Sequence, residues 1–413
     1  MHENKTGSTR VILAAADTGE YDAETSMDEL EELARTAGAE TVARLIQKRP
    51  AIDNATVLGS GRLAELAELC KNEDADMVIF DCELTATQVR NIERETGTHT
   101  IDRTTLILDI FAQRAMTREG RLQVELAQYK YRLPRLAGMG VELSRLGGGI
   151  GTRGPGETKL ETDKRHIRSR IQALNEALKT IGQRRERTRV RRKKDDVLTC
   201  AIVGYTNAGK STLLNALTDA GVLAEDKLFA TLDTTSRRVV LPDGRNILMT
   251  DTVGLISRLP HELVEAFKST LEEAASADVI LHVIDASDPE CRQKTEVAER
   301  LLHELGCDGI PTVTVFNKCD KLGKHLDIPE AVMISAKHAR GLDALLKAVA
   351  EALPEDSISG RYLFPYGEDK TLSRIYEYGS VGAVNYTDDG IEADITLERR
   401  YLRLLNGIKT VRT

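Results

Sequence analysis

At 413 residues, with 41% hydrophobic and 30% charged side chains, the chain has material for about two to three folded domains, and its composition is globular. No apolar run is long enough to cross a bilayer, the opening Met-His-Glu-Asn-Lys has no signal-peptide core, and Cys70, Cys82, Cys200, Cys291, Cys307 and Cys319 are scattered without metal-ligand spacing. These features argue against a membrane span, a disulfide scaffold and a zinc cluster; they predict a soluble cytoplasmic protein of net charge −8 whose core, lacking tryptophan, is mostly aliphatic.

Residues 1–112 read as a small α/β domain. Val11–Ala15, Thr41–Ile46 and Met77–Phe80 are apolar enough for strands, and Ser26–Ala37 is an acidic amphipathic helix. Leu63, Leu66, Ala67 and Leu69 mark another helix, opened by Gly59-Ser-Gly-Arg62. That loop can hold a phosphate, although glycines serve ordinary strand–helix turns as well. Leu106–Phe111 is apolar and precedes a long helical stretch. His99 and Asp102 lie close in sequence without a third partner, which favours a structural or solvent-facing role.

Residues 113–195 predict a helical hairpin. Leu122, Leu126, Tyr129 and Leu133 form one seam; Ile167, Ile171, Leu174, Leu178 and Ile181 form a second, on a helix starting near Leu160. Between them, Gly147–Gly156 carries six glycines in ten residues, the composition of an exposed tip. Residues 159–194 hold fourteen basic side chains against four acidic ones, a net +10 on an otherwise acidic chain. Such a basic blade points to nucleic acid; a solvated charged linker is the plainer reading.

Residues 196–356 carry the chemistry. After the apolar run Leu198–Val203 comes Gly204-Tyr205-Thr206-Asn207-Ala208-Gly209-Lys210-Ser211-Thr212, and then a helical pattern. Strand, Gly-x-x-x-x-Gly-Lys-Ser, helix is the phosphate-binding loop in its required context. Its glycines let successive N–H groups face phosphate oxygens, Lys210 reaches the β- and γ-phosphates, and the Ser211 hydroxyl ligates Mg²⁺. Ala224–Arg238 has the threonine-rich composition of a switch, with Thr231, Thr234 and Thr235 as candidates to complete the Mg²⁺ shell. The run Ile247–Met249 leads to Asp251-Thr252-Val253-Gly254, where Asp251 can hold Mg²⁺ through water and the Gly254 N–H can meet the γ-phosphate. Strand Thr312–Phe316 ends in Asn317-Lys318-Cys319-Asp320, where the Asp320 carboxylate can accept two hydrogens from the guanine edge. Ser335-Ala336-Lys337 would close over the base. Val279–Ile284 reads as a buried parallel strand in which His282 is packed rather than catalytic.

Residues 357–413 suggest a small α+β module: strand 362–364, helix 372–378, strands 382–386 and 391–397. The predicted fold class is therefore a P-loop GTPase domain, mostly parallel sheet with helices on both faces. It is preceded by a small α/β domain with a long helical hairpin and followed by a small α+β domain.

The phosphate loop, the Phe-Ala-Thr-Leu-Asp-Thr-Thr switch, the Asp-Thr-Val-Gly and above all the linker Gly-Gly-Gly-Ile-Gly-Thr-Arg-Gly-Pro-Gly-Glu-Thr-Lys-Leu-Glu resemble the HflX family of translational GTPases, over essentially the whole chain. The resemblance implies binding and hydrolysis of GTP, with Lys210, Thr231 and Gly254 as catalytic residues and Thr231 as the Mg²⁺ ligand. It also implies that Phe229, Ala230, Thr231, Leu232 and Asp233 line the nucleotide. The partners implied are the large ribosomal subunit and its rRNA, with the hairpin near the peptidyl-transferase region and a role in splitting or rescuing stalled or idle ribosomes. A monomer is expected, associated peripherally with ribosomes or membrane. Asp233-Thr234 stands where relatives often have Asp-Pro. Leu255 occupies the position of the water-orienting glutamine of Ras-like enzymes, so turnover should need outside help. One source is K⁺, since Asn207 sits where potassium-stimulated GTPases that this chain resembles ligate that ion. The competing functional class is a regulatory GTPase that binds RNA or protein and never meets the ribosome.

Overall fold

The computed structural model describes residues 8–136, 155–194, 197–218, 228–229, 231–258, 273–322, 331–354, 357–367, 369–405 and 407–411. The first sheet is parallel, in the order β2 (Ala39–Lys48), β1 (Thr9–Asp17), β3 (Met77–Phe80), β4 (His99–Asp102). Strand β1 is central, and its alternation divides two cores. Val11, Leu13 and Ala15 face α1 (Ala23–Thr36) and α4 (Arg103–Arg114), while Ile12, Ala14 and Ala16 share a cluster with α2 (Ser60–Asn72) and α3 (Ala86–Thr96). Helix α3 and strand β4 have no counterpart among the predicted elements. The Thr85–Gln88 capping box and Gly97 in the left-handed region, not apolar periodicity, delimit α3. The Asp102 carboxylate accepts from Thr105 N at 2.9 Å and caps α4, the structural role expected of it. At the predicted phosphate loop, the Gly59 N–H donates to Gln47 Oε1 at 2.8 Å.

Helix α5 (Arg118–Arg135) packs antiparallel on α6 (Pro155–Lys194). Arg170 forks onto Glu125 at 2.8 and 2.9 Å, and Arg185 reaches Glu119 at 3.1 Å. On α6 the predicted seam is the less exposed face, with Leu174 fully buried. Helix α6 begins at Pro155, about five residues before the expected start, with proline at the position where its missing N–H costs nothing. On α5 the predicted seam is only one of two apolar faces: Val124, Ala127 and Tyr131, buried as Leu126 of the seam is, join the core beneath α1 and α4. Residues 147–154 of the predicted tip lie outside the described residues.

The second sheet runs β10 (Val332–Met333), β9 (Thr312–Asn317), β8 (Val279–Asp285), β5 (Leu198–Gly204), β7 (Asn246–Asp251), β6 (Thr235–Val240), parallel except for β6 on β7. Helices α7 (Lys210–Thr218), α8 (Cys291–Glu304) and α9 (Leu342–Ala352) flank it. Residues 235–238, expected within the switch, are the start of edge strand β6. Strand β5 lies between β8 and β7, so the loop following it opens at the centre of the sheet's carboxyl edge, where such folds bind ligands. The third sheet is antiparallel: β12 (Gly379–Thr387), β13 (Gly390–Glu398), β11 (Ser357–Phe364), β14 (Lys409–Thr410). Helix α10 (Asp369–Tyr378) and a 3₁₀ turn (Arg399–Leu405) complete a separate core around Phe364, Ile375 and Ile395.

The cores of the first two bodies are not separate. One apolar cluster runs from Leu13, Leu30 and Phe111 through Leu228, Phe229, Leu232, Val253, Leu255 and Ile256 to Ile280 and Ala298. The middle of that cluster is the predicted switch machinery.

Candidate functional site

The loop Gly204–Gly209 is shaped by contacts that side chains would forbid. A Cβ on Gly204 (φ +155°) would lie 2.2 Å from Val283 O, and one on Gly209 (φ +93°) 2.3 Å from Asn317 Nδ2. Asn207 holds φ +60° between them. Lys210 is buried, and its ammonium donates to the carbonyls of Gly204 (3.0 Å) and Tyr205 (2.8 Å). Burial pushes its pKa down to about 8, against the opposing attraction of Asp251.

Three groups converge at the helix start. Ser211 Oγ lies 2.6 Å from Thr231 Oγ1 and donates to Asp251 Oδ2 at 2.6 Å. Burial raises the pKa of the Asp251 carboxyl, countered by Lys210, Ser211 and Thr231. Its second oxygen, Oδ1, is buried and has no hydrogen-bond partner among the described residues, and the same holds for Thr206 Oγ1. An unpartnered buried carboxylate oxygen beside two hydroxyls is a donor set suited to a hard divalent cation. Thr252 Oγ1 donates to Ile202 O at 2.7 Å and fixes the strand end. Beyond it the chain runs parallel to the phosphate loop, with Leu255 N donating to Gly204 O (3.1 Å) and Thr206 N to Leu255 O (2.7 Å). Gly254 sits in this narrow passage, where a Cβ would come within 2.7 Å of Thr206 Cγ2.

The opposite end is built for a planar base. Asn317 ties the loops together, donating to Ala208 O at 2.8 Å and accepting from Ala336 N at 3.0 Å. Ser335 Oγ donates to Asp320 and holds its carboxyl below the usual range. Lys318, at φ +62°, pairs with Asp285 at 2.7 Å, and the Cys319 N–H donates to Ile334 O. A cavity of 390 Å³ joins Thr206, Lys210, Ser211 and Thr231 to Asp320 and Lys337. It is adequate for a nucleotide with phosphates at one end and base at the other.

Family models match three stretches: GTP-binding GTPase N-terminal over residues 24–112, GTP-binding GTPase middle region over 114–192, and 50S ribosome-binding GTPase over 199–318. GTPase HflX of Caldanaerobacter subterraneus subsp. tengcongensis is 51% identical over 405 residues, covering 96% of this chain and 94% of that one. GTPase HflX of Escherichia coli is 41% identical over 392 residues, covering 93% and 92%. The chain belongs to the HflX family of GTPases. It is a GTP hydrolase.

Within this HflX-family chain, several predicted nucleotide contacts point elsewhere. Phe229 (φ +52°) borders the cavity but packs edge-on against Phe111 of α4, with centroids 4.6 Å apart. Leu232 and Val253 bury their side chains in the shared core. The Tyr205 hydroxyl bonds Glu29 of α1 and Ser257. The Asp233 carboxylate leaves the cavity altogether and accepts from the backbone at the start of α5. Ala230 lies outside the described residues. Of the stretch Phe229 to Asp233 expected to line the nucleotide, the side chains of Leu232 and Asp233 thus face away from the cavity. His282 is buried in β8, with its pKa pushed down to about 4 by burial and then by Lys210, as a packed strand residue.

One polar group has no motif signature. Arg103, buried at the base of α4, donates to Asp81 (3.0 Å), Glu29 (2.7 Å) and Ser257 O (3.2 Å), and Arg258 joins at Asp81 (2.6 Å). It bolts the segment after Gly254 to the first sheet. In the sequence, Asp81 and Arg103 stand out only as charges beside the apolar runs Met77–Phe80 and Leu106–Phe111.

Proposed function

We propose that the chain is a Mg²⁺-dependent GTPase that binds the large ribosomal subunit through its hairpin and splits or rescues stalled or idle ribosomes. The observation that carries this reading is the joining of two features: the match of residues 199–318 to a 50S ribosome-binding GTPase, and a 40-residue helix bearing most of a net +10. Basic side chains along one helix supply the sequence-independent attraction to phosphate that rRNA binding needs.

In the site, Lys210 exchanges its two carbonyl partners for the β- and γ-phosphates when GTP binds. Ser211 and Thr231 would offer hydroxyls to Mg²⁺, and Asp251 its second oxygen through water; the cation would neutralise the phosphate charge. Gly254 allows the chain to pass beside the γ-phosphate, and Asp320 selects guanine. Leu255 is buried and bridged to Tyr205, so it orients no water. Hydrolysis is then slow until a partner or a monovalent cation completes the site. Asn207 would be the K⁺ ligand, by the likeness of its loop position to that of potassium-stimulated GTPases. GTP turnover in KCl is expected to exceed that in NaCl at matched ionic strength; equal rates would remove potassium from the mechanism.

The main test is co-sedimentation. With a non-hydrolysable GTP analogue the full chain should pellet with large subunits, and with GDP it should stay in the supernatant. Binding to RNA or protein partners but not to subunits, in either state, would replace this reading with a regulatory GTPase acting off the ribosome.

A further inference from the structure

The Mg²⁺-ligand candidate Thr231 and the hairpin are two residues apart in connection. Thr231 touches Ser211 at the phosphate loop. Asp233 then reaches the N-terminus of α5, where its Oδ2 accepts from both Met116 N and Thr117 N at 2.8 Å and its Oδ1 accepts from the Thr117 hydroxyl. Thr117 Oγ1 in turn accepts from Gly120 N at 3.0 Å as the helix N-cap. A carboxylate there meets the positive end of the helix dipole as well as otherwise unpaired N–H groups. The helix leaves room for it: a Cβ on Gly120 would lie 2.4 Å from Asp233 Oδ1. Upstream, Phe229 packs on Phe111 and the Leu228 N–H donates to Thr36 Oγ1 at 3.2 Å. The switch segment is thus strapped to the N-terminal body on both sides of Thr231.

We propose that Asp233 is a positioning residue which, by capping the first helix of the hairpin, holds Thr231 over the phosphate loop, so that the Mg²⁺ site and the base of the hairpin are set together. This rests on Thr231 being the Mg²⁺ ligand in the reading above. Closing Thr231 on Mg²⁺–GTP keeps Asp233 on the helix; release of Thr231 after hydrolysis lets the cap go, and the first turn of α5 loosens. The coupling is reciprocal, so a partner that reorients α5 also alters the Mg²⁺ shell.

The test uses the full-length chain with Asp233→Ala, Asp233→Asn, Gly120→Ala and Thr231→Ala. For Asp233→Ala, GDP affinity should stay within about twofold, while the Mg²⁺ concentration for half-maximal GTP hydrolysis rises about tenfold, the scale of a lost helix cap. Hydrogen exchange at Met116 and Thr117 should be slower with a GTP analogue than with GDP in the parent chain, and equal in Asp233→Ala. Asp233→Asn, which keeps one acceptor oxygen, should recover part of the Mg²⁺ response. Gly120→Ala should reproduce the Ala phenotype with the carboxylate intact, since alanine favours the helix and its Cβ would meet Asp233 Oδ1 at 2.4 Å, well before Thr117 Oγ1 at 3.3 Å. An unchanged Mg²⁺ requirement in Asp233→Ala and Gly120→Ala, with a raised one in Thr231→Ala, would overturn the positioning role alone. An unchanged requirement in Thr231→Ala as well would overturn the ligand assignment beneath it.

Discussion

Asp320 and Lys210 carry different parts of the proposed reaction, base recognition and phosphate binding. Asp320 is pre-set by the Ser335 hydroxyl as an ionised acceptor, so the proposed contact with guanine would be charge-assisted. Asp320→Asn should lower GTP affinity by about tenfold to a hundredfold, the ~1.5–3 kcal/mol of such a bond, and relax the preference for GTP over XTP. A competition assay with unchanged GTP/XTP preference would remove Asp320 from base recognition. Lys210 is held charged in a buried site that penalises charge, with its pKa down to about 8. A depressed lysine destabilises the fold wherever it is charged. That cost is full below pH 8 and is relieved as pH rises from about 8 to the unfolded value near 10.5, where the folded state releases its proton first. Lys210→Met should therefore stabilise the nucleotide-free chain at pH 7, by on the order of 1–3 kcal/mol, with the advantage shrinking by pH 10. Thermal melts at the two pH values decide this, and the variant should lose nucleotide binding at both. The phosphate loop and base motifs were legible because each is a short contiguous string with fixed geometry. Asp233 was not, because Met116 and Thr117 lie more than a hundred positions away and no local pattern links them.

At the level of elements, the hairpin was visible as two seams because coiled packing repeats its signal every turn. The second face of α5 was not, since Val124, Ala127 and Tyr131 interleave with the first seam and only the body they pack on distinguishes them. Helix α3 and strand β4 escaped notice because their burial comes from a sheet assembled over long separations, while their own residues are largely polar. On α6, Arg185 is engaged with Glu119, whereas Arg184 and Arg187 are exposed. Replacing Arg184 and Arg187 with Gln should weaken large-subunit binding and lower its salt slope by about one to two units, one per lost phosphate contact. Arg185→Gln should instead loosen the hairpin base. If the Arg184/Arg187 variant binds with an unaltered salt slope, the phosphate-contacting surface is not this face of α6.

Over the whole molecule, two of the three bodies are energetically one. The cluster that includes Leu30, Phe111, Phe229, Leu255 and Ile280 crosses from the first sheet to the second, while the C-terminal module keeps its own core. Calorimetry should show the N-terminal and GTPase bodies melting in a single transition that nucleotide raises as a unit. Two separate transitions, with only one shifted by GDP, would contradict the shared core. A mechanical consequence follows from the way α6 meets this rigid pair. The helix ends at Lys194, and β5, which carries the phosphate loop, starts at Leu198. Forty residues of α-helix extend about 60 Å, so a tilt of about 5° at the root sweeps the far end through about 5 Å. The root of this lever is the amino end of β5, a strand length of about 20 Å from the phosphate loop at the carboxyl end, so that single strand is the rod through which movement at the phosphates would reach it.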